Sequence, residues 1–441
     1  DEGGWLRLAT LVKQHRKEMG RQKTLLIDCG DTIQGSLAGL VSKGEAAIEM
    51  LNFLQYDFWV PGNHELDFGT TRLSQLLEIS KVKILNGNFV LNERGRQTFP
   101  TWKIVEKGGA RICVIGMQAS FLKEWFIGQQ FKNYQVEKAL VVLKREMPEI
   151  LQEKPDMIIL ALHHGYRYKD KRGVNEVRQL AQAFPEVDLI LGGHTHRYFP
   201  GKKVAGVYYV QPGFHASHLG VIDVSIDTEE HRVLSMKSYL QKVKSTVDKD
   251  IEAVSIYEKW RSKVSAFAQR KVCDLKEEIS AAGIVGKNCQ ISHVIAAAIK
   301  HAAQTDFAIH GKFTRHSLKG QVSEADLFKV IPYENNIFVL TLTEEQLTLL
   351  MKEQFKFFKK HAFNGPFGFD MELDEKGKLQ GLKIRQKKAV YTLAINSRVA
   401  AGGGGRYPWL KKAIVSGAIK SKEVVINTRD ALREYLQKAP Y

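Results

Sequence analysis

The chain has 441 residues, enough for two or three domains, each with its own buried core. It is 44% hydrophobic and 26% charged, as globular proteins are, and no apolar run approaches the roughly 20 residues of a membrane helix, which excludes a helical span. A formal charge of +17 draws anions such as phosphate esters, but the basic residues (Arg21, Lys23, Lys202, Lys203, Lys387, Lys388) are scattered and form no single arm, which argues against a nucleic-acid partner.

In chain order, residues 1–226 alternate strand-like and helical runs, the pattern of a layered α/β domain. Strands are expected at 24–29, 58–60, 82–85, 111–115, 157–162, 188–191, 207–210 and 221–226. Helices are expected at 6–18, 44–54, 71–79, 136–147 and 175–183. Residues 227–280 turn charged and helix-favouring, with one long helix over 250–270 whose stripe is Ile251, Val254, Tyr257, Trp260, Val264 and Phe267. A second α/β pattern follows. It has helix 291–303, strand 306–309, a Ser-capped helix at 323–330, strand 337–342 and a helix opened by a Thr343/Gln346 capping box. Strands at 382–385 and 390–395 then lead to the loop 396–408 and a final helix 429–437. Domain boundaries are expected at 1–230, 231–275 and 276–441. The four cysteines, Cys29, Cys113, Cys273 and Cys289, lack the spacing of a structural zinc site, and a Cys273–Cys289 pair is left open.

Four short motifs stand at strand ends and offer hard metal ligands. They are Gly30-Asp31-Thr32-Ile33-Gln34-Gly35, Gly62-Asn63-His64-Glu65-Leu66-Asp67, Leu162-His163-His164-Gly165 and Gly192-Gly193-His194-Thr195-His196. A carboxylate on a strand-end turn can bridge divalent cations, and the glycines let substrate and backbone approach. Each motif is weak alone, since a lone His at a strand end is more often a structural hydrogen-bonder. Asp, Asn, His and a His-x-His pair in this order are a different matter.

That set resembles the calcineurin-like metallophosphatases, and more narrowly the two-domain 5′-nucleotidase and UDP-sugar hydrolase family. The run 322–347 is similar to that family's C-terminal domain, so the resemblance covers nearly the whole chain. It implies a layered α/β/β/α metallophosphatase domain, a linker helix and a smaller α/β substrate-binding domain. It implies two divalent metal ions (Zn, Mn, Co or Fe), with Asp31 bridging them, Asn63, His163 and His194 completing one shell, and His196 on the other ion. His164 is a neighbour only. His64 would contact a phosphoryl oxygen, with Asp67 holding its ring. The reaction implied is hydrolysis of nucleotides or similar anionic phosphate esters by a metal-activated water, outside the cytoplasm, although no signal peptide is visible. Cyclic-nucleotide phosphodiesterase, UDP-sugar hydrolase and sulfur-ester hydrolase activities are rivals on the same scaffold. A binding protein with a decayed site is the non-enzyme alternative.

The sequence departs from the family in two places. The family's Asp-x-His motif is missing, because residues 3–10 already match the segment after it; the motif is expected upstream of Asp1, the alternative being an incomplete second metal site. In the second half, His310-Gly311-Lys312-Phe313-Thr314-Arg315 stands where the family has an Asn-Gly-Gly-x-x-Arg-like turn, keeping only Arg315 for a forked anion contact. The loop from Asn396 to Tyr407 resembles the family's Asn…Gly-Gly-Asp-Gly-aromatic loop without its Asp. Substrate contacts are therefore expected from Arg315, Asn396 and the rings of Phe367, Phe369 and Tyr407, with core packing the alternative for each ring.

Overall fold

The computed structural model describes residues 3–92, 95–128, 132–168 and 174–438. They form two compact units, the first running to residue 263 and the second from residue 264, with residues 123–128 belonging to the second.

In the first unit, strands Ile27–Asp28, Phe58–Trp59 and Lys83–Ile84 form a parallel three-stranded sheet. A six-stranded sheet runs in the order Tyr198–Val204, Val207–Pro212, Leu189–Gly192, Met157–Leu162, Ala110–Met117, Trp102–Lys107. Its inner four strands are parallel and the two edges antiparallel. Met157–Leu162 is buried along its whole length, as a central parallel strand covered on both faces must be. One face packs Val114, Ile159, Ala161 and Leu189 against Phe58, Val60 and Leu85, with Val224, Met236 and Leu240 of a hairpin beside them. The other face packs Ile115, Leu160 and Ile190 on Val142, Leu143, Leu180 and Ala181 of helices Ala139–Gln152 and Val177–Ala183. Helices Trp5–Met19, Leu37–Ser42, Glu45–Phe53 and Thr70–Ile79 complete the unit, giving the expected α/β/β/α layering.

In the second unit, a five-stranded sheet has the order Gly365–Phe367, Phe307–His310, Tyr391–Asn396, Asn336–Leu342, Lys420–Asn427. Ala296 and Ile299 of helix Gln290–Ala303 and Ala431 of helix Thr428–Lys438 pack on Ala308, Ile337 and Ala394. The Thr343/Gln346 capping box forms, and the Ser323 cap is itself a capping box with Asp326.

Several elements differ from the sequence reading. Residues 227–280 are not uniformly helical. Arg232–Lys242 pairs antiparallel with His218–Asp227, and Lys271–Ile279 is a strand. Their alternating half-buried and exposed positions hide among charges that also suit a helix surface. Helix Ile251–Gln269 buries Ala253 and Trp260, whereas Ile251, placed on the apolar stripe, is 82% exposed. Helix Ala139–Gln152 continues past Pro148 rather than ending before it. All four cysteines are free thiols.

Candidate metal centre

The strand-end loops after Ile27–Asp28 and Phe58–Trp59 meet backbone to backbone. A Cβ on Gly30 would lie 2.6 Å from Val60 O, and one on Gly62 would lie 2.6 Å from Cε1 of His163. Only glycine permits that approach. Three of the predicted residues sit in the left-handed region, Asp31 at φ 61°, His194 at 63° and His196 at 54°. Such conformations are costly for side chains with a Cβ and cluster where function fixes them.

The site is built outward from His163, which is fully buried. Its Nδ1 faces the Cys29 carbonyl at 2.5 Å. A carbonyl only accepts, so Nδ1 carries the hydrogen and Nε2 of the neutral ring presents a lone pair. That nitrogen lies 3.1 Å from Asp31 Oδ2 and 3.1 Å from Asn63 Oδ1. Asn63 Oδ1 is also 3.0 Å from His194 Nδ1. The ligand atoms of Asp31, His163 and His194 all fall within 4.8 Å of one another. Lone pairs that face each other need a proton or a metal cation between them, and the mixed N/O set suits a borderline divalent ion. The residues therefore fit one metal. His196 is outside that group and stacks on Phe214 at 5.2 Å.

The electrostatics point the same way. Burial opposes the Asp31 charge, yet the histidines beside it, His163 and His64, hold its carboxyl well below the usual range when they are protonated. Burial, the largest cause, keeps His194 well below its ordinary value, hence neutral and able to ligate. His64 shows the expected arrangement, with Nδ1 2.8 Å from Asp67 Oδ2 and its backbone N–H donating to Asp31 Oδ1 at 2.7 Å. Burial lowers the His64 pKa, and the Asp67 and Asp31 carboxylates outweigh it and lift it to about 9.

Sequence reasoning missed Glu65, the residue that ties the two loops together. It is 1% exposed, and its carboxylate accepts from the backbone N–H groups of Asp31 (2.9 Å), Thr32 (2.6 Å), Ile33 (3.3 Å) and Gly62. Its only sequence signal is an acid directly after the Asn-His pair. Asp28 closes the same turn through Gly30 N at 2.9 Å, and Gln118 ties down Gly62 O at 2.7 Å. His164 is a buried brace, with Nε2 3.3 Å from Glu176, which also accepts from Ser120 Oγ at 2.6 Å.

The candidate substrate residues of the second unit part company. Arg315 is exposed and Phe367 half-buried, its ring 4.6 Å from that of His293. Phe369 and Tyr407, expected as candidate stacking rings, are instead core side chains, 5% and 2% exposed. Phe369 packs edge-on against Phe307 at 5.0 Å, and the Tyr407 hydroxyl donates to Ala362 O at 2.6 Å while accepting from Asn364 at 3.1 Å. Asn396 is likewise turned inward. Its Oδ1 caps helix Ser397–Ala400 through Val399 N at 2.9 Å, and its Nδ2 meets His310 Nε2 at 3.3 Å.

Residues 1–198 match the calcineurin-like phosphoesterase family and residues 269–412 the 5′-nucleotidase C-terminal domain. Endonuclease YhcR of Bacillus subtilis is 22% identical over 423 residues, 90% of this chain and 34% of that protein. Protein UshA of Escherichia coli is 24% identical over 483 residues, 98% of this chain and 86% of that one. A Staphylococcus aureus structure assigned to the 5′-nucleotidases and solved with α-ketoglutarate superposes with a TM-score of 0.84 at 21% identity, covering 98% of this chain and 91% of that chain. This chain thus spans about a third of the Bacillus relative and most of the other two.

Fold and site together define a calcineurin-like phosphoesterase domain, a class that uses divalent metals. Because that domain is followed by the matching C-terminal domain, the chain belongs to the two-domain 5′-nucleotidase family.

Proposed function

We propose that the chain is a metal-dependent hydrolase of nucleotides or closely related anionic phosphate esters, working outside the cytoplasm. The observation that carries this reading is the convergence of Asp31, Asn63, His163 and His194 on one point, with lone pairs facing each other. Those four residues would hold one divalent ion. In addition, Asp31 and His196 would hold a second ion. Zn, Mn, Co or Fe suits such donors. When bound, the metal supplies Lewis-acid polarisation of a phosphoryl oxygen and acidifies a water.

The chain's own residues do the rest. The Cys29 carbonyl sets the tautomer of His163. Asp67 accepts from His64 Nδ1, which leaves the Nε2–H to donate to a phosphoryl oxygen as charge builds on it. Glu65 keeps the Asp31 and Asn63 loops at fixed spacing, so that the donor set is preorganised. With Phe369 and Tyr407 buried, Arg315 and Phe367 are the second unit's remaining candidates for a substrate contact.

The experiment is phosphate release from nucleoside monophosphates, a cyclic nucleotide, a UDP-sugar and a small aryl phosphate, by metal-stripped protein with and without added Mn²⁺ or Zn²⁺. Metal-dependent turnover of the nucleotides is expected. No turnover of any phosphate ester with any of these ions would overturn the proposal.

A further inference from the structure

The loop that carries His194 and His196 joins strand Leu189–Gly192 to strand Tyr198–Val204, and strand Val207–Pro212 lies between those two in the sheet. The loop therefore crosses the C-terminal end of that middle strand, where Tyr198 pairs with Pro212 and Leu191 with Val210. Gln211 stands at this crossing. Residues two apart on a strand share a face, so Tyr209 and Gln211 point the same way, and both are fully buried. Neither belongs to the four strand-end motifs.

The Gln211 amide is the point where the two histidine loops are tied. Its Oε1 accepts from Thr195 Oγ1 at 3.0 Å and from the Tyr209 hydroxyl at 2.7 Å. The same Tyr209 oxygen accepts from the backbone N–H of Tyr166 at 3.1 Å, in the loop that follows His163. Two donors on Oε1 fix which way the amide points, and Nε2 has no partner among the described residues. Two motif glycines make room for this network. A Cβ at Gly165 would overlap Thr195 Oγ1, and one at Gly192 would overlap the Tyr209 hydroxyl. Thr195 itself stands between two left-handed residues, His194 and His196. Backbone held in such conformations persists only where its surroundings fix it. Among the described residues, the Thr195 hydroxyl has its hydrogen bond with Gln211 alone.

We propose that Gln211 is a positioning residue of the metal centre, acting through Thr195 and Tyr209 to hold the His194–His196 loop against the His163 loop. This rests on the metal-dependent reading above and adds a residue that lies outside the donor set. A neutral amide suits the task, because it accepts from two hydroxyls without bringing a second carboxylate beside Asp31. Losing the Thr195 contact leaves every donor residue in the chain but frees the loop from its left-handed path. His194 Nδ1 then leaves its place 3.0 Å from Asn63 Oδ1, and a metal held between the loops is held less firmly.

The test is the Mn²⁺ affinity of the metal-stripped full chain, by calorimetric titration, with the melting midpoint of the metal-free chain as a second readout. Thr195→Val and Gln211→Met keep the size of the side chain and remove the hydrogen bond. Each should weaken metal binding about tenfold, the lower end of what losing a partner behind a metal ligand does elsewhere. Thr195→Ser keeps the hydroxyl and should restore affinity to within about twofold of the unaltered chain. Because both residues act through one bond, the double variant should bind no more weakly than Gln211→Met alone, whereas independent effects would multiply to roughly a hundredfold. Tyr209→Phe should weaken binding. Tyr208→Phe should not, although it removes a hydroxyl from the opposite face of the same strand, one that lies 2.9 Å from Ser238 Oγ. Unchanged affinity in Thr195→Val, no recovery in Thr195→Ser, or a multiplied loss in the double variant would each overturn the proposal. So would a lowered midpoint with unchanged affinity in Gln211→Met, which would make Gln211 a support of the fold alone. Metal binding by the unaltered chain that none of these variants disturbs removes this proposal and leaves the hydrolase reading standing. No metal binding by the unaltered chain removes both.

Discussion

Replacing Glu65 by Gln keeps the size of the side chain and removes its charge. In the native site the carboxylate takes four backbone N–H groups, from Asp31, Thr32, Ile33 and Gly62. An amide offers one oxygen to these donors and turns its own NH₂ toward the others, so about two charge-assisted bonds are lost in a buried place. At roughly 1.5–3 kcal/mol each, the substitution should cost about 3–6 kcal/mol. Burial and the nearby Asp31 charge already push the Glu65 pKa up, so part of the native bond energy offsets desolvation and the lower end is expected. For a unit of this size, each kcal/mol moves the melting midpoint by roughly 2–4 °C, giving a drop of about 6–12 °C for the first unit. Loosening the Asp31 loop should also weaken metal binding, by roughly 10–100-fold, as loss of a partner behind a metal ligand does elsewhere. Calorimetric unfolding and metal titration read the two effects separately. A midpoint within 2 °C of the original, together with metal affinity within twofold, would refute the idea that Glu65 locks the loops.

Two further predictions concern other groups. His64→Ala should lower kcat by roughly 10²–10³ with metal content unchanged, because it removes one preorganised donor; metal loss on that substitution would make His64 a ligand instead. His310 is buried against Gly311 and Asn396, and burial lowers its pKa to about 4. The unfolded chain, with an ordinary pKa of about 6.5, takes up the proton first, so stability is fully present above that value and is lost as pH falls toward 4. By pH 4.5 the second unit should have lost about 2.5 kcal/mol from this group. Urea unfolding at pH 7.5 and 4.5 should show His310→Gln with a correspondingly smaller pH dependence; an unchanged dependence would contradict the assignment.

The residues that converge, Asp31, Asn63, His163 and His194, stood out because each stands at the end of an apolar strand, where a polar side chain has few structural reasons to be. Each loop leaves the C-terminal end of its strand, and the contacts among Cys29, Asp31, Asn63, His163 and His194 show that the loops meet there. Glu65 was not legible, since a glutamate accepting backbone N–H groups looks in sequence like any exposed acid. The fate of Tyr407 and Phe369 was hidden for the opposite reason. An aromatic next to a glycine-rich loop reads alike whether it faces a ligand or closes a core, and only the neighbours Ala362, Asn364 and Phe307 decide it. Strand Arg232–Lys242 escaped because one face is charged and exposed, and its partner strand lies across a tight turn that no Asn-Gly or Asp-Gly pair announces.

The central claim is that Asp31 anchors a metal on which hydrolysis depends. Its most direct test is a metal titration of the stripped full chain and of Asp31→Ala, followed by p-nitrophenyl phosphate turnover at each point. The account predicts turnover that rises with added metal in the unaltered chain, with one tight equivalent bound, and neither tight binding nor turnover in Asp31→Ala. Turnover by Asp31→Ala equal to that of the unaltered chain, or turnover that ignores added metal and chelator alike, would contradict it.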